Sequence, residues 1–129
     1  MDLFCRDAHA WTSAMPGARP RLFLELHLRI TEREGRVLVL REARCRLRIS
    51  GSEGKTQILP LVMMIDLSSL SPLSFAPHQT RDVTLRGHVV PPLCPPSRAC
   101  ALQVSVEFDT EEGLLFTHDI GVLDVVSTW

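Results

Sequence analysis

The chain has 129 residues, 45% of them hydrophobic and 22% charged, with a formal net charge of −1. That length supports one core and is short for two, so a single globular unit is expected. A pI near 6.5 gives no basic field to displace counterions from phosphates, which argues against nucleic acid as a partner. No apolar run approaches the ~20 residues that span a bilayer, and Met1 to Pro20 lacks a secretory apolar region, so a soluble, cytoplasmic protein is expected.

Residues 1–20 mix Trp11, Met15, Pro16, Gly17 and Pro20 without a sustained period, and read as an irregular lead-in to one domain over residues 21–129. Strand chemistry begins at Arg21. The run R-L-F-L-E-L-H-L-R-I puts Leu22, Leu24, Leu26, Leu28 and Ile30 on one side of an extended chain and Glu25, His27 and Arg29 on the other. A helix would scatter the same apolar residues around its circumference. Thr31 to Gly35 is a polar connection, and with Arg36 to Leu40 it reads as a hairpin. From Val37 the odd positions Val37, Val39, Ala43, Cys45, Leu47 and Ile49 stay apolar, and only Arg41 interrupts them. A bulge or a break near Arg41 and Glu42 is therefore predicted.

Ser50-Gly51-Ser52-Glu53-Gly54 is a turn signal, and Gln57 to Leu67 is nearly continuous apolar sequence, which suggests a strand buried on both faces or at least central. Pro60 would mark its beginning or an edge. Ser68 to Gln79, carrying Pro72 and Pro77, reads as a crossover loop with one short strand around Leu73 to Phe75. Val83, Leu85, Gly87 and Val89 alternate with polar residues until Pro91-Pro92, and the loop Pro91 to Ser97 cannot continue a ladder. Cys100, Leu102, Val104, Val106 and Phe108 give a second strand as regular as the first. Asp109 to Gly113 turns it into Leu114 to Thr117, and a last strand runs from Gly121 or Val122 to Val126. About seven or eight strands with no convincing helix predict an all-β fold, an immunoglobulin-like β-sandwich of mostly antiparallel strands.

The four cysteines contain no C-x-x-C pair, so no disulfide framework is expected, and Cys45 and Cys100 read as buried thiols. None of the five histidines pairs with another at metal-ligand spacing. A zinc set from His88, Cys94 and Cys100 would need a C-x5-C spacing through prolines, unlike structural zinc motifs. Nucleophile signatures are absent, Gly51 to Lys55 lacks the spacing of a phosphate loop, and Glu111-Glu112 falls in a hairpin tip. An enzyme is not expected, and no catalytic residue, cofactor, metal or small-molecule substrate is assigned.

One constellation has binding character. Arg44, Arg46 and Arg48, at i, i+2 and i+4, project from one strand face and would suit an acidic peptide or an anionic lipid. The structural reading of the same stripe is a solvated outer face that discourages edge pairing. A calcium-dependent lipid module would cluster aspartates in loops, whereas Asp66, Asp82, Asp109, Asp119 and Asp124 stand singly.

The stretch L-S-F-A-P-H-Q-T-R-D-V-T-L-R-G over residues 73–87, followed by Val89-Val90-Pro91-Pro92, resembles the appendage, or ear, domains of vesicle coat adaptor large subunits. The Leu-, Arg- and Pro-rich sequence is similar to the beta-type subunit of the fifth adaptor complex in particular. The resemblance implies a non-enzymatic scaffold domain in endosomal vesicle-mediated transport, recruited to endosomal or lysosomal membranes. Its partners would be other adaptor-complex subunits or accessory-protein peptides. It implies too that the chain is a fragment or short form, since a helical trunk and platform subdomain would not fit its length. A peripheral anionic-lipid-binding module using Arg44, Arg46 and Arg48 is the alternative.

Overall fold

A computed structural model describes residues 1–13, 19–49, 56–90 and 100–128. The strands are β1 (Asp2–Ser13), β2 (Arg21–Thr31), β3 (Leu38–Ile49), β4 (Gln57–Ile65), β5 (Ser68–Ser69), β6 (Leu73–Phe75), β7 (Thr80–Val89), β8 (Cys100–Thr110) and β9 (Leu115–Thr128), and no helix occurs among the described residues. The all-β expectation holds; the two-sheet sandwich does not. Hydrogen bonding runs β5-β4-β7-β2-β1-β9-β8-β3-β6, and a further β4–β3 pairing closes seven of these strands into a barrel. The closing strand is β4, whose residues Gln57–Leu61 pair with β3 while Val62–Met64 pair with β7. It therefore bridges what would have been two open sheet edges. All pairings are antiparallel except β1 with β9, which is parallel.

The expected lead-in over residues 1–20 contains β1, a full strand between β2 and β9. Its alternation is concealed by a bulge between Cys5 and Asp7. Leu3 and Cys5 face inward before it and Ala8 and Ala10 after it, so the inward set changes parity within one strand. The expected hairpin between β2 and β3 does not form either, because β2 pairs with β1 and β7, and β3 with β4, β6 and β8.

What holds that connection instead is Glu32. Its buried carboxylate accepts backbone N–H bonds from Glu34 (2.8 Å), Gly35 (2.6 Å), Arg36 (3.0 Å) and His78 (3.1 Å), tying the β2–β3 connection to the turn before β7. Burial alone would raise its pKa, but the four donors outweigh that and pull it down to about 2. Gly35 sits at φ +74, where a Cβ would lie 3.0 Å from His78 Nε2.

The barrel interior follows the sequence pattern closely. Leu22, Leu24, Leu26, Leu28 and Ile30 are fully buried, as are Leu102, Val104, Val106 and Phe108 of β8. Each such side chain contributes roughly 1.5–3 kcal/mol by leaving water. The bulge predicted near Arg41 is present: the β3–β8 register shifts between Leu40 and Glu42, so Leu40 points inward before it and Ala43, Cys45 and Leu47 after it. The short strand at Leu73–Phe75 is also as expected. The C-terminal strands expected as two are the single β9, whose register slips at Ile120 beside Gly121 (φ +111). Where β4 leaves β7, a Cβ on Gly87 would lie 2.6 Å from the Pro60 carbonyl oxygen, so only glycine allows that approach. The expected turn at residues 50–54, the Gly51 to Lys55 segment, the Pro91 to Ser97 loop and Cys94 lie outside the described residues.

Candidate functional site

On the outside of the barrel, β1, β2 and β7 set their residues in cross-strand rows: Trp11 beside Phe23 beside His88, and His9 beside Glu25 beside Arg86. The outward direction of these side chains is forced by their neighbours, because Leu22, Leu24 and Leu26 occupy the core. Trp11 and Phe23 stack with ring centroids 5.4 Å apart and 11° between planes, and Phe23 meets His88 at 5.8 Å and 39°. Pairs of this kind contribute about 0.5–1.5 kcal/mol each beyond burial.

β4 extends this surface. The expectation that β4 is buried on both faces is corrected: Leu59, Leu61 and Met63 are buried, but Ile58 and Val62 are each 50% exposed. A closed barrel has one interior, and among the described residues nothing layers over the outside of β4. Pro60, Val62 and Met64 face the aromatic row across a groove of about 780 Å³, with Glu25, Arg86 and Gly87 completing it. Pro60 lies mid-strand, not at its start, at the point where β4 changes partners and a missing N–H costs least.

The polar edge of the groove is internally matched. Arg86 Nε donates to Glu25 Oε2 at 3.1 Å, and His27 Nε2 lies 2.9 Å from Glu25 Oε1. His27 Nδ1 is 3.3 Å from the Thr84 hydroxyl. His9 lies 2.8 Å from Asp7, and this hydrogen bond holds the Asp7 carboxyl below its usual range. The groove thus combines an aromatic and aliphatic floor with one neutralised polar rim, which suits an apolar anchor flanked by hydrogen-bonding backbone.

The three arginines singled out by sequence do share the outer face of β3, but two are already engaged. Arg44 donates from Nε to Glu107 Oε2 (2.9 Å) and from Nη1 to Asp109 Oδ2 (2.8 Å), and Arg46 Nε donates to the other oxygen of Glu107. Glu107 is only 4% exposed beneath them. Hydrogen bonds from Arg46 and then Arg44 hold its carboxyl below the usual range, Arg44 does the same for Asp109, and the Asp109 partner raises the Arg44 pKa. Arg48 is exposed, beside Gln103 of β8, and pairs with no carboxylate among the described residues. The signal for this clasp was in the sequence: Glu107 and Asp109 alternate on β8 as the arginines do on β3. Their alignment depended on the β3–β8 register, which one strand alone does not disclose.

Cys45 is a free, fully buried thiol, and burial pushes its pKa up to about 12, so it is chemically quiet. Cys100 departs from both the buried-thiol expectation and the expectation that the cysteines are unbridged. It is disulfide-bonded and only half-buried, at the first position of β8. No group of three His, Cys, Asp or Glu side chains able to hold a metal occurs among the described residues.

No family model matches the sequence, and no curated protein matches it. Solved structures do share its shape. The X-ray structure of the structural-genomics target SoR45 superposes with a TM-score of 0.53 at 10% identity, covering 97% of this chain and 85% of that one. A protein from Archaeoglobus fulgidus superposes with a TM-score of 0.51 at 8% identity, covering 98% of this chain and 99% of that one. At such identity the likeness is one of fold alone: the chain is similar in architecture to these two β-rich proteins.

Proposed function

We propose that this domain is a non-catalytic protein-interaction module whose outer groove takes the apolar anchor of an extended accessory-protein peptide. The observation that carries the reading is the outward Trp11–Phe23–His88 row facing a half-exposed Val62. Aromatic side chains in a partly desolvated groove are the composition of binding hot spots, and water-exposed apolar surface gains free energy when a partner covers it. The sequence resemblance to adaptor appendage domains supplies the context: a scaffold in endosomal vesicle transport, acting at the cytoplasmic face of endosomal or lysosomal membranes beside other adaptor subunits.

The lipid-binding alternative draws less support. Its carriers were Arg44, Arg46 and Arg48, and the first two spend their charge on Glu107 and Asp109. Isothermal titration with peptides from trafficking accessory proteins tests the proposal, using the wild type, Phe23→Ser and the double variant Arg44→Gln/Arg46→Gln. Binding that is lost in Phe23→Ser and kept in the arginine variant is expected. Failure of every accessory peptide, or equal binding by Phe23→Ser, refutes it. Flotation with anionic liposomes distinguishes the alternative, since headgroup attraction weakens as salt rises.

A further inference from the structure

The barrel is sealed unevenly. β1 and β9 pair only over Ala10–Ser13 and Val125–Thr128. Over Asp2–His9 the edge of β1 turned away from β2 has no strand partner among the described residues, and over Leu115–Asp124 neither has the edge of β9 turned away from β8. Two facing rows of backbone N–H and C=O groups are therefore left open at this seam among the described residues; the remaining joints of the ring pair at length except at β4, which divides its bonds between five residues with β3 and three with β7. Counting back four residues from Ala10 opposite Val125 puts Arg6 opposite Gly121, so the β1 bulge at Arg6 and the β9 bulge beside Gly121 fall at one level and bend both strands there.

The core reports the same opening independently. The inward Leu22, Leu24, Leu26, Leu28 and Ile30 of β2 and Leu102, Val104, Val106 and Phe108 of β8 are fully buried, whereas Leu3, Cys5 and Ala8 on β1 and Phe116, Ile120 and Leu123 on β9 are only half-buried. A cavity of about 500 Å³ lies over the start of β1 and the end of β2, lined by Leu3, Phe4, Arg29, Thr31 and Arg33, and reaches the mouth of the seam at His118 of β9.

We propose that an extended segment of a partner protein inserts between Asp2–His9 and Leu115–Asp124, antiparallel to both, as an added strand of the barrel. Only a peptide backbone fits both rows, because its N–H and C=O groups alternate to left and right while side chains alternate in and out. The inward row of the segment is mainly aliphatic, to cover Leu3, Ala8, Phe116 and Leu123, with one polar position to meet His118, which the register opposite the buried Val106 puts on the same face. Its outward row is basic. On β9 the outward acids are Asp119, bonded to Gln103 and to the Gly121 N–H, and Asp124, exposed and without a cation partner among the described residues. On β1 Asp2 pairs with Arg33 and Arg6 with Asp82, while Asp7 is hydrogen-bonded to His9. This site is separate from the aromatic groove, and its test reads different amides, so either proposal can fail alone.

The test is amide hydrogen exchange on the whole chain with a capped octapeptide of alternating lysine and valine as the probe. Amides of Leu3–His9 and Phe116–Asp124 should slow by about tenfold or more at saturation, with those at Trp11, Phe23 and His88 unchanged. The same peptide N-methylated at alternate residues should give no protection, and Asp124→Lys should weaken the parent peptide several-fold. No protection at up to about 1 mM probe, the concentration scale of a barely specific contact, overturns the proposal. So does equal protection by the N-methylated peptide. Concentration-dependent dimerisation that protects these amides without peptide assigns the seam to a second copy of the chain and overturns it as well.

Discussion

On the β3–β8 side of the barrel, Arg44 and Arg46 clasp Glu107 and Asp109 across neighbouring strands, so a row that looks strongly charged in sequence presents little unspent charge to a partner. On the β2–β7–β4 side the outward residues include Phe23, His88, Pro60 and Val62, set beside Trp11, and among the described residues the apolar ones have no covering layer. Both faces obey the same strand alternation. They differ in whether their chemistry is completed inside the molecule. A stripe of cations is a poor indicator of a docking surface until the partner strand is known, whereas apolar groups aimed outward from a closed barrel stay incomplete whatever the register.

Substitutions on the two faces separate their roles. The largest effect belongs to the inside–outside assignment on which both faces depend: Leu26→Asp buries a charge without a partner at a fully buried site and should cost on the order of 5 kcal/mol. Circular dichroism should then show no cooperative melt, while His27→Asp, one residue along on the outer face, should melt cooperatively. Next is Glu107→Ala, which leaves Arg44 and Arg46 side by side without their shared anion. A loss of about 2 kcal/mol in urea unfolding is expected, against less than about 1 kcal/mol for Glu25→Ala on the groove face. Equal costs would erase the distinction between a structural and a binding face.

Glu32 gives a pH-dependent test. Its folded pKa of about 2 lies below the ordinary 4.5, so the unfolded chain binds the proton more readily. Its stabilisation is complete above about pH 4.5 and is lost as pH falls toward 2. Glu32→Gln should lower the melting temperature at pH 7 and show a flatter decline between those values. A decline as steep as in the wild type would remove Glu32 from that role. The smallest effect is a gain. Asp66 (φ 49) and Leu67 (φ 68) make the two-residue turn between Ile65 and Ser68, and Leu67 is 84% exposed. A side chain at that φ is strained, so Leu67→Gly should stabilise by about 0.5–1 kcal/mol in thermal unfolding.

The sequence was most legible where one strand carries its own pattern. Leu22 to Ile30 and Leu102 to Phe108 alternate without interruption and are core, and Arg41 betrayed its bulge because the residues on either side were strongly apolar. β1 escaped because its inward residues include the small Cys5, Ala8 and Ala10, and because the bulge at Arg6 moves them from odd to even positions. Barrel closure was hidden for a different reason: β4 reads simply as apolar, and nothing local says that its first half pairs with β3 and its second with β7. The groove shared this obstacle. Trp11, Phe23 and His88 come from three separated segments and meet only through register. A local hint existed in Ile58, Pro60, Val62 and Met64, an apolar row opposite the buried Leu59, Leu61 and Met63 on a strand that must show one side to water.

The contrast between the two faces is tested most directly by titrating the isotope-labelled chain with a binding accessory peptide and mapping chemical-shift changes by NMR. Changes concentrated on the Trp11 indole N–H and on the amides of Phe23, Val62, Arg86 and His88 are expected. Changes centred on Arg44, Arg46 and Arg48, with the aromatic row silent, would contradict that contrast.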